Sequence, residues 1–230
     1  MKRDDARALI EKIGILPSVR VPSRDLAVFA AETVYSAGIP IVEITLTVPG
    51  ALEVINDLAG RFQDMVVGAG TVLDESLARQ AIDAGARFIT SPGFVPEVVA
   101  YANRADVLVL PGALTPTEII AAWKAGSDFV KIFPSSPMGG NQYIRALKVP
   151  LPQIKLIATG GVNQLTASDF ILAGASAIGL GTALFYEPMA CKSVNQGIAA
   201  YLRAQGLSSV TQLVGTLGTT RETQDCAVSG

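Results

Sequence analysis

Short apolar runs alternate along the chain with longer stretches in which apolar residues recur with helical periodicity. Four of these runs come directly after an Ala-Gly pair that ends a helical stretch, and they cover residues 41–46, 86–90, 128–133 and 175–180. A second series lies between them, at residues 15–19, 66–68, 107–110 and 155–158. Runs that are apolar throughout are typical of strands covered on both faces. The pattern therefore predicts eight strands that alternate with helices.

Eight strands alternating with helices in a chain of 230 residues predict a closed (β/α)8 TIM barrel, an α/β fold in one domain. An open, doubly wound parallel sheet is the structural alternative. We assign residues 1–205 to the barrel, including an N-terminal helix. Beyond Arg203 the chain becomes rich in Ser, Thr and Gly, so residues 206–230 are interpreted as a partly flexible C-terminal extension.

Polar residues mark the starts of several predicted helices. Ser23 and Asp74 can cap the helices that follow them, and Thr115 begins a capping box with proline at the first helical position. One stripe at helical spacing is expected to face the barrel. It consists of Leu26, Phe29, Ala30 and Thr33.

Composition narrows the classes of partner. The net charge is -2 and charged residues make up 17% of the chain, so no basic surface for nucleic acid or anionic lipid is expected. The two cysteines, Cys191 and Cys226, suggest neither a disulfide framework nor a metal site. The first residues lack the apolar core of a signal peptide. We predict a cytoplasmic protein that binds neither nucleic acid nor membranes.

Lys131 is set among apolar residues in the sixth predicted strand. Because side chains alternate along a strand, Phe129, Lys131 and Phe133 share one face, which we assign to the barrel interior. The same alternation in the second strand turns Glu43 inward. A buried ammonium group is costly, so a lysine of this kind reaches water, pairs with a carboxylate or loses its proton, and a neutral amine attacks carbonyl carbons. A structural ion pair between Lys131 and Glu43 is the alternative at this point.

Hydroxyl groups and flexible turns stand at the ends of other strands, where barrel enzymes carry their active sites. These positions are Arg20, Thr71, Ser91-Pro92-Gly93, Pro111-Gly112, Thr159-Gly160-Gly161 and Gly179-Leu180-Gly181-Thr182. Glycine-rich turns after the seventh and eighth strands are typical phosphate sites. The chain contains no histidine, so we predict no metal, with a glutamate as the proton carrier. A magnesium site made of carboxylates alone remains the alternative.

Six motifs, in order, carry a resemblance to a known family. They are residues 42–47 (VEITLT), 68–72 (GAGTV), 91–93 (SPG), 111–112 (PG), 130–134 (VKIFP) and 158–162 (ATGGV). On these residues the sequence resembles the 2-keto-3-deoxy-6-phosphogluconate (KDPG) aldolases, also called 4-hydroxy-2-oxoglutarate (KHG) aldolases. The resemblance covers about residues 8–204.

The resemblance implies a class I aldolase without a cofactor, in which Lys131 forms a Schiff base and Glu43 shuttles protons. It implies that Arg20, Thr71 and Pro92 surround the pyruvate part of the substrate and that Phe133 packs beside it. It also implies a phosphate end formed by Thr159, Gly160, Gly161 and Thr182, and a homotrimer. The expected reaction is cleavage of KDPG to pyruvate and glyceraldehyde 3-phosphate.

Two positions depart from the family pattern. Thr47 stands where some members carry an arginine, and Thr182 stands where many carry a serine. Three alternatives for function therefore stay open. They are an aldolase for 2-keto-3-deoxy-6-phosphogalactonate (KDPGal), an aldolase for 4-hydroxy-2-oxoglutarate, and a barrel that binds a sugar phosphate without catalysis.

Overall fold

Parallel strands alternating with helices make up the part of the chain that the structure, a computed structural model, describes, namely residues 2–181 and 190–216. The strands are β1 Ile15–Val19, β2 Ile41–Thr45, β3 Val66–Gly70, β4 Phe88–Thr90, β5 Leu108–Leu110, β6 Gly112–Ala113, β7 Val130–Ile132, β8 Leu156–Thr159 and β9 Ala177–Leu180. The helices are α1 Arg3–Ile13, α2 Arg24–Ser36, α3 Ala51–Arg61, α4 Glu75–Asp83, α5 Pro96–Arg104, α6 Pro116–Lys124, α7 Asn141–Lys148, α8 Ala167–Leu172 and α9 Ala190–Ala204. Short 3-10 turns cover Ser136–Met138 and Val210–Gln212.

The sheet closes into the predicted barrel. Its strand order is β5-β4-β3-β2-β1-β9-β8-β7-β6, and every pair is parallel. The two edge strands, β5 and β6, are separated in sequence by Pro111 alone, so one stretch of chain pairs with β4 on one side and with β7 on the other. The fifth predicted strand, residues 107–110, thus continues through Pro111 to Ala113, and this interruption explains why nine strand segments occupy eight positions.

Alternation along β2 places side chains as expected. Val42 and Ile44 are buried in the layer between the sheet and the helices, together with residues of α2 and α3. Glu43 and Thr45 point the other way and line a cleft at the barrel mouth. Since a strand turns successive side chains to opposite faces, the apolar contacts of Val42 and Ile44 hold Glu43 toward the interior.

The prediction for the face of α2 is wrong. Its buried residues are Ala27, Ala31 and Val34, whereas Leu26 is 48% exposed and Phe29 is 60% exposed. The small alanines let the helix backbone approach the sheet closely, so the larger apolar residues turn outward. Leu26 and Phe29 are three residues apart and therefore neighbours on the helix surface, where they form one exposed apolar patch.

Capping residues begin the helices where the sequence predicts. The side chains of Ser23, Asp74 and Thr115 each accept a hydrogen bond from a backbone N–H of the first turn. Glu118 completes the capping box of α6 by accepting from the backbone N–H of Thr115 and of Leu114. These two bonds, in that order, hold the pKa of Glu118 below its ordinary value.

Helix α1 lies against the amino ends of the strands. Its Ala6 and Ile10 are buried in the same core as Phe129. Arg3 forms a bidentate ion pair with the buried carboxylate of Asp128, which lies just before β7. The helix is thus fixed to the end of the barrel opposite the predicted site.

The described part of the predicted C-terminal extension packs on the barrel. Val210 and Leu213 are buried in its core, and Val210 lies against Gly14. The boundary predicted at residue 205 stays a prediction, and residues 217–230 lie outside the described part. Among the described residues no helix is both long and apolar enough to span a bilayer.

Candidate active site

The carboxyl ends of the strands surround an open cleft of about 970 Å³, a size suited to a small-molecule substrate. Nine of the ten residues predicted to form the site line it. They are Arg20, Glu43, Thr71, Pro92, Lys131, Phe133, Thr159, Gly160 and Gly161. The tenth, Thr182, lies outside the described residues.

Lys131 and Glu43 meet inside the barrel. The Nζ atom of Lys131 lies 3.6 Å from Oε2 of Glu43, and the two side chains are only 12% and 2% exposed. The predicted phases of β7 and β2 are therefore confirmed. An amine and a carboxylate at this distance, open to a cleft on one side, form a pair that can exchange protons with a bound molecule.

Thr90, at the end of β4, joins the pair and was not predicted. Its hydroxyl donates to Oε2 of Glu43 over 2.9 Å and accepts from Nζ of Lys131 over 3.4 Å. Thr90 is fully buried. Alternation along β4 could have identified it, because Thr90 has the same phase as the interior residue Phe88.

Glycine makes room for the carboxylate. Gly70 ends β3 beside β2, and a Cβ atom built on it would lie 2.1 Å from Oε1 of Glu43. Gly68 does the same for the ring of Phe88, with a Cβ at 2.3 Å. The two glycines of β3 thus accept the two large interior side chains of the neighbouring strands.

Arg20 and Thr71 lie on the side predicted for the pyruvate group. A guanidinium nitrogen of Arg20 donates to the hydroxyl of Thr71 over 3.4 Å. Thr71 has a φ of 63°, which is rare for a β-branched residue and costs conformational energy. This backbone directs the Thr71 side chain into the cleft. Thr47, where some family members carry arginine, is not among the residues that line the cleft.

The turn after β8 supplies backbone donors. Gly160 and Gly161 have φ values of 83° and 87°, and within the described residues neither N–H group has a hydrogen-bond acceptor. Successive backbone N–H groups in a turn can form a concave anion site. The Thr159 hydroxyl donates to the carbonyl of Ile132, so its proton is already used within the protein.

The cleft also contains residues that the sequence did not indicate. They are Ser18 and Asn163, and they line it together with Thr45, which the alternation of β2 turns inward. Phe133 stands at its edge, 38% exposed, with its ring centroid 5.8 Å from Nζ of Lys131. No group of three potential metal-ligating side chains is found in residues 2–181 and 190–216.

Lys155, just before β8, is both ion-paired and partly exposed. It contacts Glu11 of α1 and is 40% exposed. It begins the chain segment that enters β8, whereas Lys131 lies near the carboxyl ends of the strands. Lys155 therefore has a charged partner far from the cleft, and Lys131 is the lysine that lines it.

A barrel with a lysine and a buried carboxylate facing a cleft at its mouth is an enzyme fold suited to the chemistry of carbonyl compounds. Comparison of the sequence with family models narrows this class. The model described as KDPG and KHG aldolase matches residues 7–199, and the chain belongs to this family of aldolases. The resemblance stated from the six motifs is thereby confirmed.

Individual relatives agree. A KDPG aldolase from Treponema pallidum is 34% identical over 162 residues, which are 70% of this chain and 77% of that protein. A KDPGal aldolase from Escherichia coli is also 34% identical, over 84% of this chain and 95% of that protein. A solved structure of a KDPG aldolase from Legionella pneumophila, with pyruvate captured as a covalent carbinolamine, has a TM-score of 0.74 and 26% identity, covering 84% of this chain and 96% of that one.

Proposed function

We propose that this aldolase cleaves a 2-keto-3-deoxy-6-phospho sugar acid through a Schiff base on Lys131, releasing pyruvate and glyceraldehyde 3-phosphate. The observation that carries the proposal is the Nζ of Lys131 at 3.6 Å from Glu43, inside a cleft. The covalent pyruvate of the Legionella relative supports a covalent route in this family.

The proposed steps conserve atoms and electrons. The neutral amine of Lys131 adds to the C2 ketone, and the carbinolamine takes up a proton from the solvent and loses water to give an iminium ion. Glu43 takes the proton of the C4 hydroxyl, directly or through a water molecule. The C3–C4 bond then breaks, its electrons form an enamine, and the aldehyde leaves. Protonation at C3 and hydrolysis release pyruvate and restore the lysine.

Binding roles follow from charge and geometry. We propose that Arg20 holds the substrate carboxylate and that Thr71 and Pro92 enclose the pyruvate part, with Phe133 beside it. Arg20 is the guanidinium among the residues that line the described cleft, and such groups pair well with carboxylates. The free N–H groups of Gly160 and Gly161 are proposed to bind the phosphate, with Thr182 as a further contact.

KDPGal is the second candidate substrate. The relative named for it aligns over 84% of this chain, more than the 70% aligned with the relative named for KDPG. The two sugar acids differ only in the configuration at one carbon. Cleavage rates for both compounds, and for 4-hydroxy-2-oxoglutarate, decide between them. A protein that cleaves none of them would be a sugar-phosphate binder.

Borohydride trapping tests the covalent step. The protein is incubated with pyruvate and sodium borohydride, and the modified peptide is mapped. We expect loss of activity and one pyruvate-derived adduct, on Lys131. Lys131→Met should give no adduct, while Lys155→Met should behave as the unaltered protein, since Lys155 is paired with Glu11 at the other end of the strand. Absence of an adduct on Lys131 would contradict the Schiff base.

Assembly and location are further proposals. We propose a homotrimer, supported by the exposed Leu26 and Phe29 on α2, which a subunit contact would cover. Light scattering at micromolar concentration should give three times the mass of one chain. A cytoplasmic place in the Entner–Doudoroff route of carbohydrate breakdown is supported by the low cysteine content and by the substrates for which the relatives are named.

A further inference from the structure

We infer that Thr90 is a positioning residue for the reaction, which holds the carboxylate of Glu43 in place for proton transfer. The inference rests on the proposed roles of Lys131 and Glu43. Its own basis is the buried hydroxyl that contacts both groups at once, 2.9 Å from Oε2 of Glu43 and 3.4 Å from Nζ of Lys131.

The direction of the two hydrogen bonds is fixed by chemistry. A threonine hydroxyl has one proton and two lone pairs, and an ionised carboxylate only accepts. The proton of Thr90 therefore goes to Glu43, and the lone pairs of Thr90 accept from Lys131. One hydroxyl thus ties the proposed base to the proposed nucleophile in a single orientation.

Glu43 has few other restraints on its carboxylate. Within the described residues the polar contacts of its oxygens are with Thr90 and Lys131, while Gly70 borders Oε1 without a hydrogen bond. In the proposed reaction Lys131 has no free amino group once its nitrogen is part of the iminium ion. During the proton steps Thr90 would then be the uncharged group that still holds Oε2, so its loss should free the carboxylate to rotate.

Thr90 is well placed for this task because its own position is rigid. It is fully buried at the end of β4, and its carbonyl accepts from the N–H of Val72 in the next segment. A β-branched side chain also has few rotamers. The hydroxyl therefore cannot turn away without disturbing packed neighbours.

The test separates proton transfer from imine formation. In D₂O, exchange of the methyl protons of pyruvate requires the imine and then proton removal at C3, and NMR follows it. Borohydride trapping at saturating pyruvate reports the imine alone. For Thr90→Val we expect exchange to fall by about 10- to 100-fold, the effect of losing a hydrogen bond to a charged group. The yield of trapped adduct should stay within about 2-fold, since Lys131 is intact.

Matched variants exclude a packing effect. Thr90→Ser and Thr90→Ala both remove the methyl group, and only Thr90→Ser keeps the hydroxyl. Thr90→Ser should exchange within about 3-fold of the unaltered protein, and Thr90→Ala should resemble Thr90→Val. This pair decides the question even if Thr90→Val does not fold. Ser127→Ala, which removes a buried hydroxyl that has no hydrogen-bond partner among the described residues and lies before the start of β7, should leave both readouts unchanged.

Three results would overturn the inference. The first is exchange in Thr90→Val and Thr90→Ala equal to that of the unaltered protein, the second is a fall of trapping and exchange by the same factor, and the third is a Thr90→Ser variant as slow as Thr90→Ala. In each case the unaltered protein still forms its adduct on Lys131, so the proposed function stands. If the unaltered protein forms no adduct, the proposed function fails first, and the role of Thr90 falls with it.

Discussion

Gly70 lies directly beside the carboxylate of Glu43, so close that a Cβ atom would be 2.1 Å from Oε1 and 2.5 Å from Cδ. Distances below 3 Å are not found for real Cβ atoms, and both residues belong to buried strands. The carboxylate therefore occupies space that only glycine leaves free.

The first prediction follows from this contact. Gly70→Ala should push the side chain of Glu43 away from Lys131, because neither backbone can shift within the sheet. Turnover should fall by about 10²-fold or more, as expected for a displaced catalytic group. Steady-state assays of pyruvate release measure this, and trapping with borohydride should persist.

Gly60→Ala is the matched control for the same chemical change. Gly60 lies within α3, where an added Cβ meets nothing within 4 Å. It should leave turnover unchanged and raise the free energy of unfolding by about 0.5–1 kcal/mol, since alanine favours the helix. Normal turnover in Gly70→Ala would show that Glu43 can act from another position.

The strand phases could be predicted from sequence because alternation is a local property. Glu43 and Lys131 each stand among apolar residues that alternate along a strand, and this alternation predicts that both side chains point into the barrel. Phe88 and Thr90 follow the same alternation, so the sequence could also have placed the Thr90 side chain in the barrel interior. Residues 86–90 carry no charged group at the carboxyl end of the run, so the sequence alone does not mark Thr90 as a site residue.

Other features depend on neighbours that are distant in sequence. Gly70 is required because β3 lies beside β2 and its Glu43 side chain. The Thr159 hydroxyl donates to Ile132 because β8 lies beside β7. The outward turn of Leu26 and Phe29 has a similar origin, because Ala27 and Ala31 give the closer packing of α2 on the sheet. Periodicity alone cannot decide which of two apolar faces of one helix packs against the sheet.

A second prediction concerns the ion pair at the closed end of the barrel. Asp128 is 5% exposed and accepts from Arg3 and from the backbone N–H of Val109. Asp128→Asn leaves the guanidinium of Arg3 partly buried without its counter-charge. The free energy of unfolding should fall by about 3 kcal/mol, as measured by urea denaturation.

The matched control is Glu75→Gln, which removes the carboxylate of an exposed pair with Arg79 and Arg104. Such pairs contribute little, so its unfolding curve should match that of the unaltered protein. Asp128 lies at the end of β7 away from the cleft. At temperatures where Asp128→Asn is folded, its KM for the keto acid should therefore equal that of the unaltered protein. Equal stability of the two variants would contradict the role of the Arg3–Asp128 pair.

A third prediction is a dependence of stability on pH. Hydrogen bonds from the backbone N–H of Thr115, and then of Leu114, lower the pKa of Glu118 below its ordinary value of 4.5. A carboxyl group whose folded pKa is lowered stabilises the protein above its unfolded value and loses that contribution as pH falls through the folded value. Glu118→Gln should therefore be less stable at pH 7, and the difference should shrink toward pH 3.

The size of this effect is limited because Glu118 is exposed, and about 1 kcal/mol at pH 7 is expected for a helix cap. Glu97→Gln serves as a control. Glu97 lies in the first turn of α5, a helix without a side-chain cap, so its substitution should change stability less. A constant difference between pH 7 and pH 3 for Glu118→Gln would show that the capping bond does not depend on its charge.

The last prediction concerns the strained backbone of Thr71, whose φ is 63°. Thr71→Gly relieves a strain of about 1–3 kcal/mol and loses about 0.5–1 kcal/mol through the greater freedom of the unfolded chain. The protein should therefore become more stable by about 1 kcal/mol. Its KM for the keto acid should rise, because the hydroxyl that faces Arg20 is gone.

Asp106→Gly separates the two effects. Asp106 also has a positive φ, 54°, but it is exposed and does not line the cleft. Its replacement should leave KM unchanged and add less stability, since aspartate tolerates this backbone better than a β-branched residue does. Thr71→Ser should keep KM, because it keeps the hydroxyl. If Thr71→Gly is less stable and binds normally, the strain at Thr71 serves packing instead of substrate binding.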